Sequence, residues 1–65
     1  MSLSLMAWRR ARNISQQKMA NLLEVHVNTY QKWEEKPENI SINNAFKICK
    51  ILDVPLDEIK FITEE

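Results

Sequence analysis

The sequence predicts a small all-α domain, and three observations support this fold class. First, its 65 residues include no glycine, whereas the tight turns of β-hairpins favour glycine. Second, apolar side chains recur at the three- and four-residue spacing that places them on one face of a helix. Third, Ser15 and Ser41, which suit the position that begins a helix, precede two of these apolar segments. We therefore predict five short helices in one domain over residues 1–65, with its core at about residues 5–62.

The first predicted helix runs from Ser4 to Asn13 and turns Leu5 and Trp8 toward the core. It is basic near its end, which suits the negative pole of the helix dipole. Asn13 can adopt the left-handed conformation that stops a helix. We expect Arg12, near the end of this helix, to be exposed to solvent.

The second predicted helix runs from Gln16 to about Leu23 and follows Ser15, whose hydroxyl can accept a hydrogen bond from a backbone N–H one turn in. The residues expected to be buried are Met19, Ala20 and Leu23. Because Ala20 is small, another helix can approach closely at that point.

The third predicted helix runs from about Val27 to Glu35, and Pro37 ends it by disfavouring the helical conformation at Lys36. Its two faces differ in character. The inward face carries Tyr30, Trp33 and Glu34, and the outward face carries Asn28, Gln31, Lys32 and Glu35.

A loop over Pro37 to Ile40 leads to the fourth predicted helix, which runs from Ile42 to about Leu52 with Ser41 as its N-cap. Its buried residues are expected to be Ala45, Ile48, Cys49 and Leu52.

Pro55 can open a fifth, short helix, because proline suits the first turn of a helix. We expect Leu56 and Ile59 of this helix to point inward. Phe61 or Ile62 would then close the core.

The net charge is zero, but the charges are unevenly distributed along the chain. Residues 1–36 carry six cations and three anions, a net charge of +3, and residues 37–65 carry three cations and six anions, a net charge of −3. One half of the molecule could therefore face phosphate while the other half faces away.

The sequence indicates no enzyme, no cofactor and no metal site. Cys49 is the one cysteine, so an internal disulfide is impossible, which suits a reducing cytoplasm. Cys49 and the one histidine, His26, are too few ligands for zinc, and no nucleophile stands at a meaningful spacing from His26. No apolar run is long enough to span a membrane, and no small-molecule ligand is evident. We expect a cytoplasmic protein associated with the nucleoid.

Three segments carry a resemblance to a known family. They are Ile14 to Leu23 followed by Val25, Thr29 to Glu34, and Ile48 to Ile59. Together they resemble the phage-repressor and Cro (XRE) type of helix-turn-helix, over about residues 5–59 of the chain. The resemblance implies a five-helix DNA-binding domain of a bacterial or phage transcription regulator. It also implies binding as a homodimer, at least on DNA, to two half-sites about one DNA turn apart.

The same resemblance implies roles for particular residues. Gln16 matches the family position that anchors a DNA phosphate, although an ordinary polar first turn would also place a glutamine there. Arg9 and Glu34 match positions that form a structural ion pair between the first and third helices. Asn39 and Ser41 flank the loop whose backbone N–H groups meet phosphate in the family, and Ser41 is better explained as a helix cap.

Three residues of the third helix are candidates for reading DNA bases. The amide of Asn28 matches the donor and acceptor of adenine N6 and N7, although asparagine also favours the first turn of a helix. Lys32 could reach guanine O6 and N7 or a phosphate, or could be an ordinary solvated lysine. Val27 could pack on a thymine methyl group or be partly buried against the second helix.

Weaker candidates would contact the DNA backbone. Gln17 opens the second helix, where free N–H groups and the helix dipole attract a phosphate. Thr29 and Gln31 could each bond a phosphate, and Thr29 could equally serve the start of its own helix.

The chain departs from the family pattern at two positions. The family often has glycine where this chain has Glu24, in the turn between the second and third helices, and where it has Lys36, after the third helix. A left-handed conformation at a residue other than glycine costs on the order of 1 kcal/mol. Both departures therefore bear on local geometry and stability.

From these observations we expect a transcriptional regulator, specifically a repressor, that reads double-stranded DNA. Because the segment from Val54 to Thr63 has more apolar residues than a small core needs, Phe61 and Ile62 are candidate dimer contacts. The rival interpretation is a protein-interaction module on the same fold, either antitoxin-like or a cofactor of a larger regulator. Zero net charge and the acidic residues near the third helix favour that rival.

Overall fold

The computed structural model describes residues 2–62, and in this range it is mainly helical, as predicted. The α-helices are α1 (Leu5–Ala11), α2 (Gln16–Leu23), α3 (Val27–Glu35) and α4 (Ile42–Leu52). Two-residue strands, β1 (Leu3–Ser4) and β2 (Ile59–Lys60), pair in parallel, with Leu3 opposite Ile59. Single turns of 3-10 helix cover Pro37–Asn39 and Leu56–Glu58.

Side-chain caps explain where the helices begin. The hydroxyls of Ser4, Ser15 and Ser41 accept hydrogen bonds from the backbone N–H three residues later, at 3.0 to 3.2 Å. At the start of α3, Nδ1 of His26 accepts from the N–H of Asn28 at 3.2 Å. Each cap satisfies one of the N–H groups that the first turn of a helix leaves unpaired. The predicted starts of α2, α3 and α4 are therefore confirmed.

The predicted fifth, short helix is not confirmed as an α-helix, because only a single 3-10 turn follows Pro55. Pro55 has an extended conformation (φ −66°, ψ 153°) and precedes a single 3-10 turn, after which the chain straightens into β2. The indole Nε1 of Trp8 donates to the carbonyl oxygen of Glu58 at 2.7 Å. This hydrogen bond to α1 and the pairing of β2 with β1 stabilise the extended conformation of the segment. Such tertiary contacts override a local preference for helix.

The core lies between α1, α2, α3 and α4. The residues predicted to be buried on α2 and α4 are all buried, although Ala45 is not part of the main cluster. Phe61 packs against it, whereas Ile62 is 74% exposed. The prediction that Leu56 points inward is wrong, because the 3-10 turn leaves this side chain 36% exposed. Ile59, at 4% exposed, is buried as expected.

Arg12 is exposed, as expected for a solvated helix end, but it also makes contacts within the protein. Its Nε donates to the carbonyl oxygen of Leu52 at 2.7 Å, and its guanidinium lies 5.2 Å from the ring centroid of Trp8. Arg12 therefore ties the end of α1 to the last turn of α4. Its four-residue spacing from Trp8, which places the two on one helix face, was the signal available in the sequence.

The two positions where the family often has glycine differ in backbone conformation. Glu24, which ends α2, is left-handed (φ 59°, ψ 42°), whereas Lys36, which ends α3, is not (φ −132°, ψ 76°). We therefore expect Glu24→Gly to raise the free energy of unfolding by about 1 kcal/mol in urea titrations, because glycine removes the left-handed penalty. Lys36→Gly is the control and is expected to give no gain, since it only frees the unfolded chain. Equal effects of the two substitutions would contradict this explanation.

Candidate nucleic-acid interface

The outer face of α3 is polar and exposed, and its inner face is packed. Tyr30 is fully buried, and Trp33 lies half-buried beside it in an edge-to-face contact with ring centroids 6.5 Å apart. On the outer side, the exposed residues are Asn28, Thr29, Gln31, Lys32 and Glu35. The predicted division of α3 into two faces is therefore confirmed.

Val27 was expected either to contact a thymine methyl group or to be partly buried against the second helix. It is partly buried and packs against the core cluster, so only part of the side chain is accessible from outside. Any contact of Val27 with a ligand would therefore be shared with its packing in the protein.

A buried ion pair joins α1 to α3. Arg9 Nε lies 2.5 Å from Glu34 Oε2, and the two side chains are only 8% and 5% exposed. A second nitrogen of Arg9 donates to Glu34 Oε1 at 3.3 Å, and a third donates to the carbonyl oxygen of Ile14 at 2.8 Å. The guanidinium thus holds α3 and the turn before α2 at the same time.

The environment of this pair keeps both groups charged. Burial opposes ionisation of Glu34, but hydrogen bonds from Arg9 and from other neighbours outweigh it, so the pKa of Glu34 is lowered. The hydrogen bond to Glu34 likewise raises the pKa of Arg9, against the effect of burial. Burial also raises the pKa of Tyr30, and the Glu34 carboxylate raises it further.

Gln16 connects this pair to the outer face of α3. Its Nε2 donates to Glu34 Oε1 at 3.0 Å, and its Oε1 accepts from Gln31 Nε2 at 3.2 Å. Gln17, one residue later, is exposed and donates instead to Asn21 of its own helix at 3.0 Å. The two neighbouring glutamines at the start of α2 therefore occupy different environments.

Residues 5–59 match the sequence profile of a family described as helix-turn-helix. This chain belongs to that family. The family is the repressor and Cro type indicated by the sequence, and its members are DNA-binding domains of transcription regulators. No curated protein and no solved structure matches the chain. Among the described residues of this helix-turn-helix domain, no helix has the length and apolar character needed to cross a membrane.

The turn after α3 of the helix-turn-helix domain uses some of its own backbone donors. The N–H of Asn39 donates to the carbonyl oxygen of Lys36 at 3.0 Å, and the N–H of Ile40 donates to that of Pro37 at 3.1 Å. The Ser41 hydroxyl accepts from Asn44 N–H, which is the capping role favoured by the sequence. Asn39 and Ser41 are both exposed, so their side chains lie at the protein surface.

Charge around α2 and α3 of the helix-turn-helix domain is balanced. The exposed lysines from α2 to the first 3-10 turn are Lys18, Lys32 and Lys36, and the exposed glutamates there are Glu24, Glu35 and Glu38. The buried Arg9–Glu34 pair removes one cation and one anion from the surface, whereas Arg12 stays exposed although its guanidinium lies over Trp8. The net charge of +3 that residues 1–36 carry in the sequence is therefore carried by exposed side chains.

Proposed function

We propose that this domain binds double-stranded DNA sequence-specifically as a transcriptional repressor and reads the major groove with α3. The observation that carries the proposal is the exposure of Asn28 and Lys32 opposite the fully buried Tyr30. The major groove is about 12 Å wide and admits one α-helix. A helix anchored from behind by an aromatic ring and an ion pair can enter this groove without losing its place in the fold.

In this proposal, three side chains of α3 contact bases. Asn28 pairs with adenine N6 and N7, and Lys32 donates to guanine O6 and N7 or to a phosphate. Val27, of which part is accessible, touches a thymine methyl group at the edge of the same surface.

Other exposed residues would fix the domain on the DNA backbone. Gln17 at the start of α2, Thr29 on α3, and Asn39 and Ser41 beside the turn after α3 are all exposed. Phosphate contacts set the position of a protein on DNA and carry no sequence information directly. These four residues would therefore contribute to binding without setting the preferred sequence.

Asn28→Ala tests the base-reading role. After selection of bound fragments from random-sequence DNA, the substitution is expected to weaken binding to the selected duplex by about 1–3 kcal/mol and to leave random-duplex binding nearly unchanged. Asn43→Ala is the matched control, because Asn43 is an exposed asparagine on α4. Equal losses on selected and random duplexes would remove Asn28 as a reader of bases.

We further propose that the domain binds its operator as a homodimer. The longest dimension of the described Cα trace is 26 Å, which is shorter than the distance of about 34 Å between half-sites one turn apart. One copy therefore reaches one half-site. Ile62, 74% exposed, is the candidate dimer contact, together with the exposed part of Phe61.

The stoichiometry on DNA tests the homodimer. Sedimentation with the selected duplex is expected to show two chains per duplex, and Ile62→Asp is expected to weaken the binding of the second chain by placing a charge in an apolar contact. Leu22→Asp, at an exposed leucine of α2, is the control. One chain per duplex at saturation would contradict the dimer, and equal effects of the two substitutions would exclude Ile62 as its contact.

A second candidate function is a protein-interaction module on the same fold, either antitoxin-like or a cofactor of a larger regulator. The exposed Glu35 on the outer face of α3 and the exposed Glu24 before it favour this alternative, because carboxylates repel phosphate. Retention on heparin or random DNA that decreases with salt supports DNA binding. A protein that is retained neither on heparin nor on random DNA supports the interaction module.

A further inference from the structure

We propose that two copies of this domain associate without DNA through a groove beside the end of α4. We call it the α4 groove, and its lining includes Phe46, Cys49, Lys50, Asp53, Val54 and Leu56. None of its lining residues belongs to α2 or α3, and Ile62 is not among them. The groove is therefore a different surface from the proposed base-reading face and from the contact proposed for the homodimer on the operator.

Exposed apolar side chains are concentrated around the α4 groove. Phe46 is 51% exposed and Leu56 is 36% exposed, whereas Cys49 and Val54 are buried and form the floor. Ile42 lies one helical turn before Phe46, on the same side of α4, and is 63% exposed. A contiguous apolar patch on a small domain marks an interaction surface.

The size of the α4 groove suits an aromatic side chain from another molecule. Its volume is about 690 Å³. A cavity of about 150 Å³ already holds one benzene ring, so the groove has room for a phenylalanine ring and its neighbours. The chain itself carries such a ring at the edge of the groove, on Phe46.

The charges at the rim of the α4 groove point to a second copy of this chain as the occupant. Lys50 and Asp53 both line the groove and are exposed, and they have opposite charges. Neither side chain has an ion pair or hydrogen bond among the described residues. A two-fold axis between them places Lys50 of each copy opposite Asp53 of the other, so this rim is complementary to itself.

The same two-fold axis also pairs the apolar parts of the groove. Along the chain, Phe46 comes before the two charged residues and Leu56 comes after them. Rotation about an axis between Lys50 and Asp53 exchanges these two ends, and it carries Phe46 of each copy toward Leu56 of the other. Both Phe46 rings then enter a groove, and both charged pairs form at its rim.

Sedimentation without DNA tests whether the groove joins two copies. Because the surface is small, the unmodified domain is expected to form a reversible dimer at about 0.1–1 mM. Phe46→Gln should raise the dissociation constant at least about 10-fold, because it removes the central aromatic anchor. Leu22→Gln is the matched control, since Leu22 is 47% exposed on α2, and it should change the constant by less than about twofold.

A charge exchange tests whether the occupant is a second copy. Lys50→Glu leaves two anions at the rim and Asp53→Lys leaves two cations, so each variant alone should associate at least about 10-fold more weakly than the unmodified domain. An equimolar mixture of the two variants should recover the association as a heterodimer, because every anion then meets a cation. Lys47→Glu, at an exposed lysine of α4 outside the groove, is the control and should not rescue Asp53→Lys.

The folded fraction of each variant is measured by circular dichroism, because Asp53 has a left-handed conformation (φ 57°) that lysine tolerates less well. If Asp53→Lys does not fold, Phe46→Gln and Lys50→Glu still test the groove, since both lie at exposed positions within α4.

Three results would overturn the proposal. The first is an unmodified domain that stays monomeric up to about 1 mM. The second is a dimer that Ile62→Asp abolishes and Phe46→Gln leaves unchanged, which would place the association at Ile62. The third is a mixture of folded Lys50→Glu and Asp53→Lys chains that associates no better than either variant alone, which would mean that the two rims do not face each other.

This inference goes beyond the proposed function and can fail independently of it. A domain that selects a sequence from random DNA but stays monomeric without DNA keeps the proposed function and loses the inference. A domain that associates through the α4 groove but selects no sequence keeps the inference and loses the proposed function.

Discussion

Glu34→Gln is expected to lower the free energy of unfolding by about 3–5 kcal/mol, because it leaves the Arg9 guanidinium buried without a counter-charge. The Arg9 side chain is only 8% exposed, so water cannot replace the lost partner. A domain of this size has a small margin of stability. The variant should therefore unfold at a much lower urea concentration than the unmodified chain.

The matched control is Glu35→Gln, at the next residue of α3. Glu35 is exposed, and a surface substitution of this kind usually changes stability by less than about 0.5 kcal/mol. Replacing both members of the pair, with Arg9→Met and Glu34→Met, should cost less than Glu34→Gln alone, because no unpaired charge remains. Equal urea midpoints for Glu34→Gln and Glu35→Gln would show that the pair does not stabilise the fold.

The same pair makes stability depend on pH. Burial opposes the charge of Glu34, but the hydrogen bonds from Arg9 prevail, so the folded-state pKa lies below the ordinary value of 4.5. A carboxylate whose pKa is lower in the folded than in the unfolded state stabilises the fold fully at pH values above its unfolded-state pKa. This stabilisation is lost as the pH falls through the folded-state pKa. The unmodified chain should therefore lose more stability than Glu34→Gln between about pH 5 and the acid limit of the titration. Parallel pH profiles would contradict this assignment.

The sequence predicted the helices best where short-range signals decide the fold. Ser15 and Ser41 mark the starts of α2 and α4 because each serine hydroxyl accepts a hydrogen bond from a backbone N–H that is close in sequence, three residues later. Pro37 marks the end of α3 because its ring restricts the residue before it. These constraints act within one turn of the chain, so they are visible without a structure.

The segment after α4 could not be predicted in the same way. Pro55 is compatible both with the first turn of a helix and with the extended conformation that the structure shows. The choice is made by Trp8 Nε1, which binds the Glu58 carbonyl from 50 residues away, and by the pairing of β2 with β1. Contacts between residues so distant in sequence leave no local pattern in either segment.

The same distinction applies to the candidate site, where features set within one helix could be predicted and contacts between helices could not. The exposure of Asn28 and Lys32 follows from the helical period, and the periodicity predicted it correctly. The Gln31–Gln16 bond joins residues 15 positions apart on two helices, so it depends on how α2 and α3 are rotated relative to each other. Spacing alone does not give that angle, so the sequence does not predict this hydrogen bond.

Lys32→Glu is expected to have the largest effect on DNA binding of any exposed substitution on α3. The change replaces a cation with an anion on the face that we propose enters the groove, and facing like charges costs several kcal/mol. We expect affinity for the selected duplex to fall by at least about 100-fold at low salt. Lys32 lies in the last turn of α3, where a cation is favoured, so the folded fraction must be measured alongside binding.

Lys60→Glu is the matched control for this reversal. Lys60 is exposed on β2, in the acidic half of the chain, and its reversal changes the net charge of the protein by the same amount. The milder Lys32→Gln separates the two roles of the lysine. If Lys32 meets a phosphate, the slope of log affinity against log salt should become less negative by about 0.9, and an unchanged slope would exclude that role.

Comparing the effects of Lys32→Glu and Lys60→Glu on DNA affinity also distinguishes DNA binding from a protein-interaction module. Exposed lysines and glutamates are balanced around α2 and α3, so overall charge attracts DNA only weakly, and a particular cation at the contact must matter. A loss for Lys32→Glu that greatly exceeds the loss for Lys60→Glu places the contact on α3. Similar small losses for both would mean that DNA responds only to net charge, and the outer face of α3 would then be free to bind a protein.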